Sequence, residues 1–149
     1  MALKSGRMLK LLPVLALLAM MVTPAAARPV TLLALGDSLT AGYGLQPSDA
    51  FPVKLEAALR AKGHDVKVIN AGVSGDTALD GASRLDWALA EPVDAVIVEL
   101  GANDALRGLP VPQAEAALDQ LLAPLAEKNI PALLAGMRAP PNPGPDYQK

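Results

Sequence analysis

The sequence predicts an open, doubly wound α/β domain: a mostly parallel sheet with helices on both faces. Three observations lead there. Short apolar runs suited to strands alternate with amphipathic stretches at helical spacing. The strand runs carry little polar face, as expected of a sheet covered on both sides. Right-handed crossovers between parallel strands then favour the open, doubly wound layout.

The elements follow in order. Val30 to Leu35 is apolar apart from Thr31 and ends at Gly36, which reads as a strand buried on both faces. Leu55, Ala58 and Leu59 recur at helical spacing between Asp49, a candidate N-cap, and Gly63, a candidate stop. Val66 to Ile69 is a second strand. Ala78, Ala82, Leu85 and Leu89 mark one amphipathic helix, opened by Asp76 or Thr77 and closed before Pro92. Ala95 to Leu100 is a third strand, apolar until Glu99. Ala117, Leu118, Leu121, Leu122 and Leu125 mark a third helix, which Pro124 is expected to kink or shorten. Ala132 to Ala135 is a fourth strand.

Composition narrows the function classes. A length of 149 residues is one ordinary domain. With 52% hydrophobic and 19% charged residues, the chain is too apolar for disorder and too interrupted for a multi-span membrane protein. There is no Cys, which excludes a disulfide framework, a thiol nucleophile and Cys-ligated metal sites. One His excludes a multi-His metal site. The net charge of −2, without a basic stripe, disfavours nucleic acid.

Residues 1–27 read as a secretory signal peptide. Lys4, Arg7 and Lys10 precede an apolar run from Leu11 to Val22, and Ala25 and Ala27 set an A-x-A cleavage site after Ala27. The expected mature domain is therefore 28–149, periplasmic or secreted. It is more acidic than the whole chain, so stable membrane insertion or surface binding is not expected of it.

In doubly wound sheets ligands bind at the carboxyl ends of the strands, which directs attention to three loops. The first is Gly36-Asp37-Ser38-Leu39-Thr40-Ala41-Gly42-Tyr43-Gly44, where Ser38 can present a hydroxyl at the sheet edge. Asp37 or Ser38 merely capping a short helix explains the same residues. A phosphate loop is a weak rival, since no Lys follows the glycines. The second is Asn70-Ala71-Gly72-Val73-Ser74-Gly75-Asp76-Thr77, whose glycines let backbone approach a ligand. An ordinary loop with a capping Asp76 or Thr77 fits equally. The third is Gly101-Ala102-Asn103-Asp104, where Asn103 offers a neutral donor suited to an oxyanion, or forms an Asx turn. Together the loops hold a hydroxyl, a glycine N–H and an amide donor, the inventory of an acyl-transfer site.

At these blocks the chain resembles the GDSL-type, or SGNH, hydrolases. Ala34 to Gly44 is similar to their first block, Asn70 to Thr77 to their glycine block and Val98 to Asp104 to their G-x-N-D block. The match is closest to the bacterial periplasmic branch of acyl-CoA thioesterases, lysophospholipases and arylesterases. The resemblance implies a flavodoxin-like SGNH fold. It implies Ser38 as nucleophile, with an oxyanion hole formed by the Ser38 N–H, the Gly72 N–H and the Asn103 amide. Asp37 and Asp104 would orient loops. It also implies a small-molecule ester or thioester substrate, a monomer, and no cofactor or metal.

The family's fourth block, D-x-x-H near the C-terminus, is not matched. Asp146 is followed by Tyr147-Gln148-Lys149, and the chain stops after the turn-rich Pro140-Pro141-Asn142-Pro143-Gly144-Pro145. The sole His, His64, falls in a turn before the second strand, on the rim opposite Ser38. The expectation is a C-terminally incomplete domain, nearly inactive for want of the Asp–His pair. A non-catalytic acyl- or glycan-binding paralogue is the alternative. A response-regulator-like domain is a third, weakened because no Lys follows the fourth strand.

Overall fold

The computed structural model describes residues 28–137. The expected signal peptide and the proline-rich stretch from Pro140 lie outside the described residues. Four parallel strands, β1 (Val30–Gly36), β2 (Val66–Gly72), β3 (Ala95–Glu99) and β4 (Ala132–Leu134), form one sheet in the order β2-β1-β3-β4. Leu32 pairs with Val68 on one side and Ala95 on the other, and Val96 pairs with Ala132. The helices are α1 (Ser38–Ala41), α2 (Phe51–Ala61), α3 (Ala78–Ser83), α4 (Leu85–Ala88), α5 (Ala102–Leu106) and α6 (Val111–Glu127). The sheet is open and doubly wound, as the alternation of strand and helix predicts.

Strand alternation divides the sheet residues between two faces. Leu33 and Leu35 of β1 and Val96 and Val98 of β3 meet Leu85, Leu100, Leu121 and Leu125 in the main core. The opposite face of β1 presents Ala34 and Gly36, and α1 and α2 pack beside β2. At the amino rim, Asp94 takes two hydrogen bonds from Arg28 and one of 2.7 Å from the Thr31 N–H, fixing the start of β1 against β3. These contacts hold the Asp94 carboxyl below the ordinary aspartate range, the Arg28 hydrogen bond most of all. Among the described residues β2 and β4 are the edge strands, and all three residues of β4 are exposed, Leu133 to 63%. An exposed apolar edge is open to pairing with another chain.

Three local outcomes differ from the sequence expectation, and the early end of one helix after Pro124 is in line with it. The single helix expected over Ala78 to Leu89 breaks at Arg84, which takes φ −108° and ψ 8° as its side chain turns towards Asp76 and the Gly36 carbonyl. Pro124 sits inside α6 without ending it. The helix stops three residues later at Glu127, so the single lost N–H falls in the last turn, where disruption costs least. Asp49 does not cap α2. It closes a 3₁₀ turn, Pro47–Asp49, and Ala50 occupies the cap without a side-chain bond. β2 also runs on to Gly72, past the expected Ile69.

Thr77, rather than Asp76, opens α3. Its hydroxyl accepts from the Asp80 N–H at 3.2 Å, while Asp80 Oδ2 accepts from the Thr77 N–H at 2.9 Å, a complete capping box. Asp104 adds to it by accepting from the Ala78 N–H at 2.8 Å. The bonds from Thr77 lower the Asp80 carboxyl pKa, so this contribution to stability is present above the ordinary aspartate range and is lost as pH falls through the lowered value. Thr77→Ala is expected to destabilise the domain by about 1 kcal/mol in urea unfolding. An unchanged midpoint would remove the box from the account.

Candidate active site

The site is assembled where the chain leaves the carboxyl ends of β1, β2 and β3. Asp37, 1% exposed, follows β1 and caps α1, its Oδ1 accepting from the Leu39 N–H at 2.9 Å. This places Ser38 at the first position of α1. As a first-turn residue its N–H has no acceptor within the helix. Ser38 is half-buried and lines a cavity of about 640 Å³.

Asn103 lines the same cavity. Gly101, at φ 108°, turns the chain out of β3 through the left-handed region, which glycine enters without the Cβ penalty. The following residues form α5, a short helix the sequence did not reveal. Asn103 Nδ2 donates to Asp37 Oδ2 at 3.1 Å and to the Asp76 carbonyl at 2.9 Å. One amide thus ties together the loops after all three strands. Asp104 does the same for α5 and α3 through the Ala78 N–H.

Gly72 departs from the expectation. Its N–H donates to Asn70 Oδ1 at 2.9 Å, and neither Gly72 nor Gly75 is among the residues lining the cavity shared by Ser38 and Asn103. A Cβ at Gly72 would fall 2.2 Å from the Ala41 backbone nitrogen. Glycine is needed there for close approach of β2 to α1, and its N–H is already engaged. Three residues on, Gly75 turns at φ 93°, and an added Cβ would meet only Arg107 Nη2 at 3.8 Å. The Gly75 N–H has no acceptor among the described residues, and the next carbonyl, that of Asp76, is the one Asn103 grips. The second glycine of Gly72-Val73-Ser74-Gly75 was the available sequence signal.

A half-buried ion pair supports these loops. Arg84 Nε donates to Asp76 Oδ2 at 2.6 Å, and Nη2 donates to the Gly36 carbonyl at 3.0 Å. Sequence reasoning missed this pair because Arg84 lies in a stretch that reads as plain amphipathic helix. His64 is exposed in the turn before β2, after Gly63 at φ 87°. All strands are parallel, so this turn lies at the amino rim, away from Ser38. Among the described residues no group of three or more His, Asp or Glu side chains is placed to hold a metal ion.

Residues 34–149 match the model of the GDSL-like Lipase/Acylhydrolase family. The chain belongs to this family. Ser38 with its capping Asp37 is the Gly-Asp-Ser-Leu segment from which GDSL proteins take their label. The relatives agree. The chain is 42% identical over 135 residues to the Pseudomonas aeruginosa protein named esterase TesA, covering 87% of this chain and 65% of that one. It is 40% identical to an arylesterase of Vibrio mimicus, covering 78% and 58%. The crystal structure of AlinE4, described as an SGNH-hydrolase family esterase, superposes with a TM-score of 0.78 at 49% identity, covering 82% of this chain and 66% of that one. The chain therefore spans about three fifths of the length of the curated relatives it matches.

Proposed function

We propose that this GDSL-family chain is a serine hydrolase of esters or thioesters, with Ser38 as nucleophile. The carrying observation is that Ser38 and Asn103, from loops far apart in sequence, line one cavity at the carboxyl rim of the sheet. The Ser38 N–H and the Asn103 side-chain amide serve as oxyanion donors. The backbone donor of the second loop is assigned to Gly75 instead of Gly72, because the Gly72 N–H already donates to Asn70. The Ser38 hydroxyl attacks the carbonyl carbon as a general base takes its proton. The donors hold the tetrahedral oxyanion, the leaving group departs, and water releases the acyl group from Ser38. Leu39, Leu100, Leu106 and Leu118 give the cavity an apolar wall suited to an acyl substituent. No cofactor or metal enters this scheme. The enzyme acts as a monomer in the periplasm or outside the cell, reached through cleavage after Ala27.

No imidazole of this sequence lies near Ser38. That favours a second reading, a non-catalytic module binding acyl or glycan groups. A chimera separates the two. Residues 28–137 are joined to the part of the Pseudomonas aeruginosa esterase that lies beyond the matched region. The enzyme reading expects hydrolysis of a p-nitrophenyl short-chain ester that is lost with Ser38→Ala. A folded chimera without Ser38-dependent hydrolysis favours the binding module.

A further inference from the structure

Glu99 ends β3 opposite Gly36, its register partner on β1. It is the one acidic residue in the run Ala95-Val96-Ile97-Val98-Glu99, and the site as described leaves it without a role. Its Oε2 accepts from the Thr40 hydroxyl at 2.8 Å. Its Oε1 is buried with no partner among the described residues. Thr40 is 1% exposed and lies in α1, two residues after Ser38. Gly36 permits the meeting: a Cβ there would fall 2.1 Å from Thr40 Oγ1 and 2.7 Å from the Glu99 carbonyl oxygen. The strand leading to Asn103 is thereby fastened to the helix carrying Ser38.

We propose that Glu99 is a positioning residue that holds α1, and so Ser38, against the carboxyl ends of β1 and β3 through Thr40. Its bearing on catalysis rests on the reading of Ser38 as nucleophile; its hold on α1 does not. Burial makes the ionised form of this carboxyl the costlier one. Burial pushes the Glu99 carboxyl above its ordinary value, against the opposing Thr40 bond; Asp37 acts both ways, its charge raising the value and its backbone hydrogen bond lowering it. Asp37 is the titratable group that faces it from the β1–α1 turn, with both carboxyl oxygens accepting hydrogen bonds from Leu39 and Asn103. α1 brings Thr40 and β1 brings Gly36, neither of them titratable, and Arg84 is tied to Asp76. With the folded-state value raised, the stabilisation is complete below the ordinary glutamate range and fades as pH rises through the raised value.

Glu99→Gln, Glu99→Leu and Thr40→Val in the full 149-residue chain test this. The Ala41 and Gly42 amides, which donate to the Asp37 and Ser38 carbonyls, report on α1 by hydrogen exchange. Glu99→Gln, a neutral isostere, is expected to leave their exchange within about twofold of the parent, while Glu99→Leu and Thr40→Val speed it by ~3–10-fold, the weight of one hydrogen bond. Glu99→Gln is also expected to remove part of the fall in Tm with rising pH, a change that loss of packing alone would not produce. Gln exchanging as fast as Leu, Thr40→Val exchanging like the parent, or an identical Tm–pH profile in Glu99→Gln would each overturn the proposal. If Glu99→Leu does not fold, Thr40→Val and Glu99→Gln decide it. In the chimera, Glu99→Leu is expected to lower kcat with KM unchanged and Glu99→Gln to restore it. A chimera without Ser38-dependent hydrolysis counts against the nucleophile alone, because exchange and the Tm–pH profile still judge the hold on α1.

Discussion

The 149-residue polypeptide is expected to hydrolyse a chromogenic short-chain ester roughly a millionfold more slowly than the chimera, the usual cost of a serine triad without its base. A serine hydroxyl is a weak nucleophile until an adjacent base takes its proton. The only imidazole in the sequence belongs to His64, exposed at the amino rim of the sheet. The carboxylates beside Ser38 and Asn103 in sequence are both committed elsewhere, while Glu115, which also lines the cavity, is exposed on α6. Asp37 accepts from the Leu39 N–H and from Asn103, and Asp104 accepts from the Ala78 N–H. What remains is oxyanion stabilisation and binding, worth ~10³–10⁴ over water in comparable enzymes. Initial rates for the two proteins at equal concentration make the comparison. Ser38-dependent turnover by the 149-residue chain near that of the chimera would show that another group serves as base. Asp37, Asp104 and His64 would then be replaced in turn.

The sheet was legible in the sequence because its strands are short, apolar and separated by helices of regular period. A strand such as β1, buried from Leu33 to Gly36, leaves an apolar run broken only by Thr31, which needs no tertiary information to recognise. The strand ends were legible for a related reason. Glycines and polar residues directly after such runs mark where the chain turns over the rim, and Ser38 and Asn103 both stand there. The partnerships between loops were not legible. The Thr40–Glu99 bond spans 59 positions and the Asn103–Asp37 bond 66, distances at which no local pattern operates. Gly72 and Gly75 are equivalent as letters in one loop. Only the fold shows that one of them packs on Ala41 with its N–H engaged while the other keeps its N–H open. Pro124 illustrates a different limit: its rule predicts disruption, but how much is disrupted depends on how close the helix already is to its end.

Asn103→Ala in the chimera is expected to lower kcat by ~10²–10³, the loss typical of one oxyanion donor. The same change is expected to destabilise the fold by ~1–3 kcal/mol, because it leaves a buried carboxyl oxygen of Asp37 without its partner. Both effects follow from one amide. In the structure both Asn103 N–H groups are engaged, one with Asp37 at 3.1 Å and one with the Asp76 carbonyl at 2.9 Å. To serve an oxyanion the amide must redirect or share one of these bonds as negative charge develops. The longer of the two, to Asp37, is held by the ionisable group and fixes the side chain. The bond to the Asp76 carbonyl joins neutral partners and is the one a developing oxyanion can displace, since bonds to charged acceptors are about twice as strong. Urea unfolding and steady-state kinetics on the same preparation separate the two roles. A fall in kcat beyond what the unfolded fraction explains, with KM nearly unchanged, supports the oxyanion role. A loss confined to stability leaves Asn103 as a tie between three loops, and a loss confined to KM assigns it to substrate positioning.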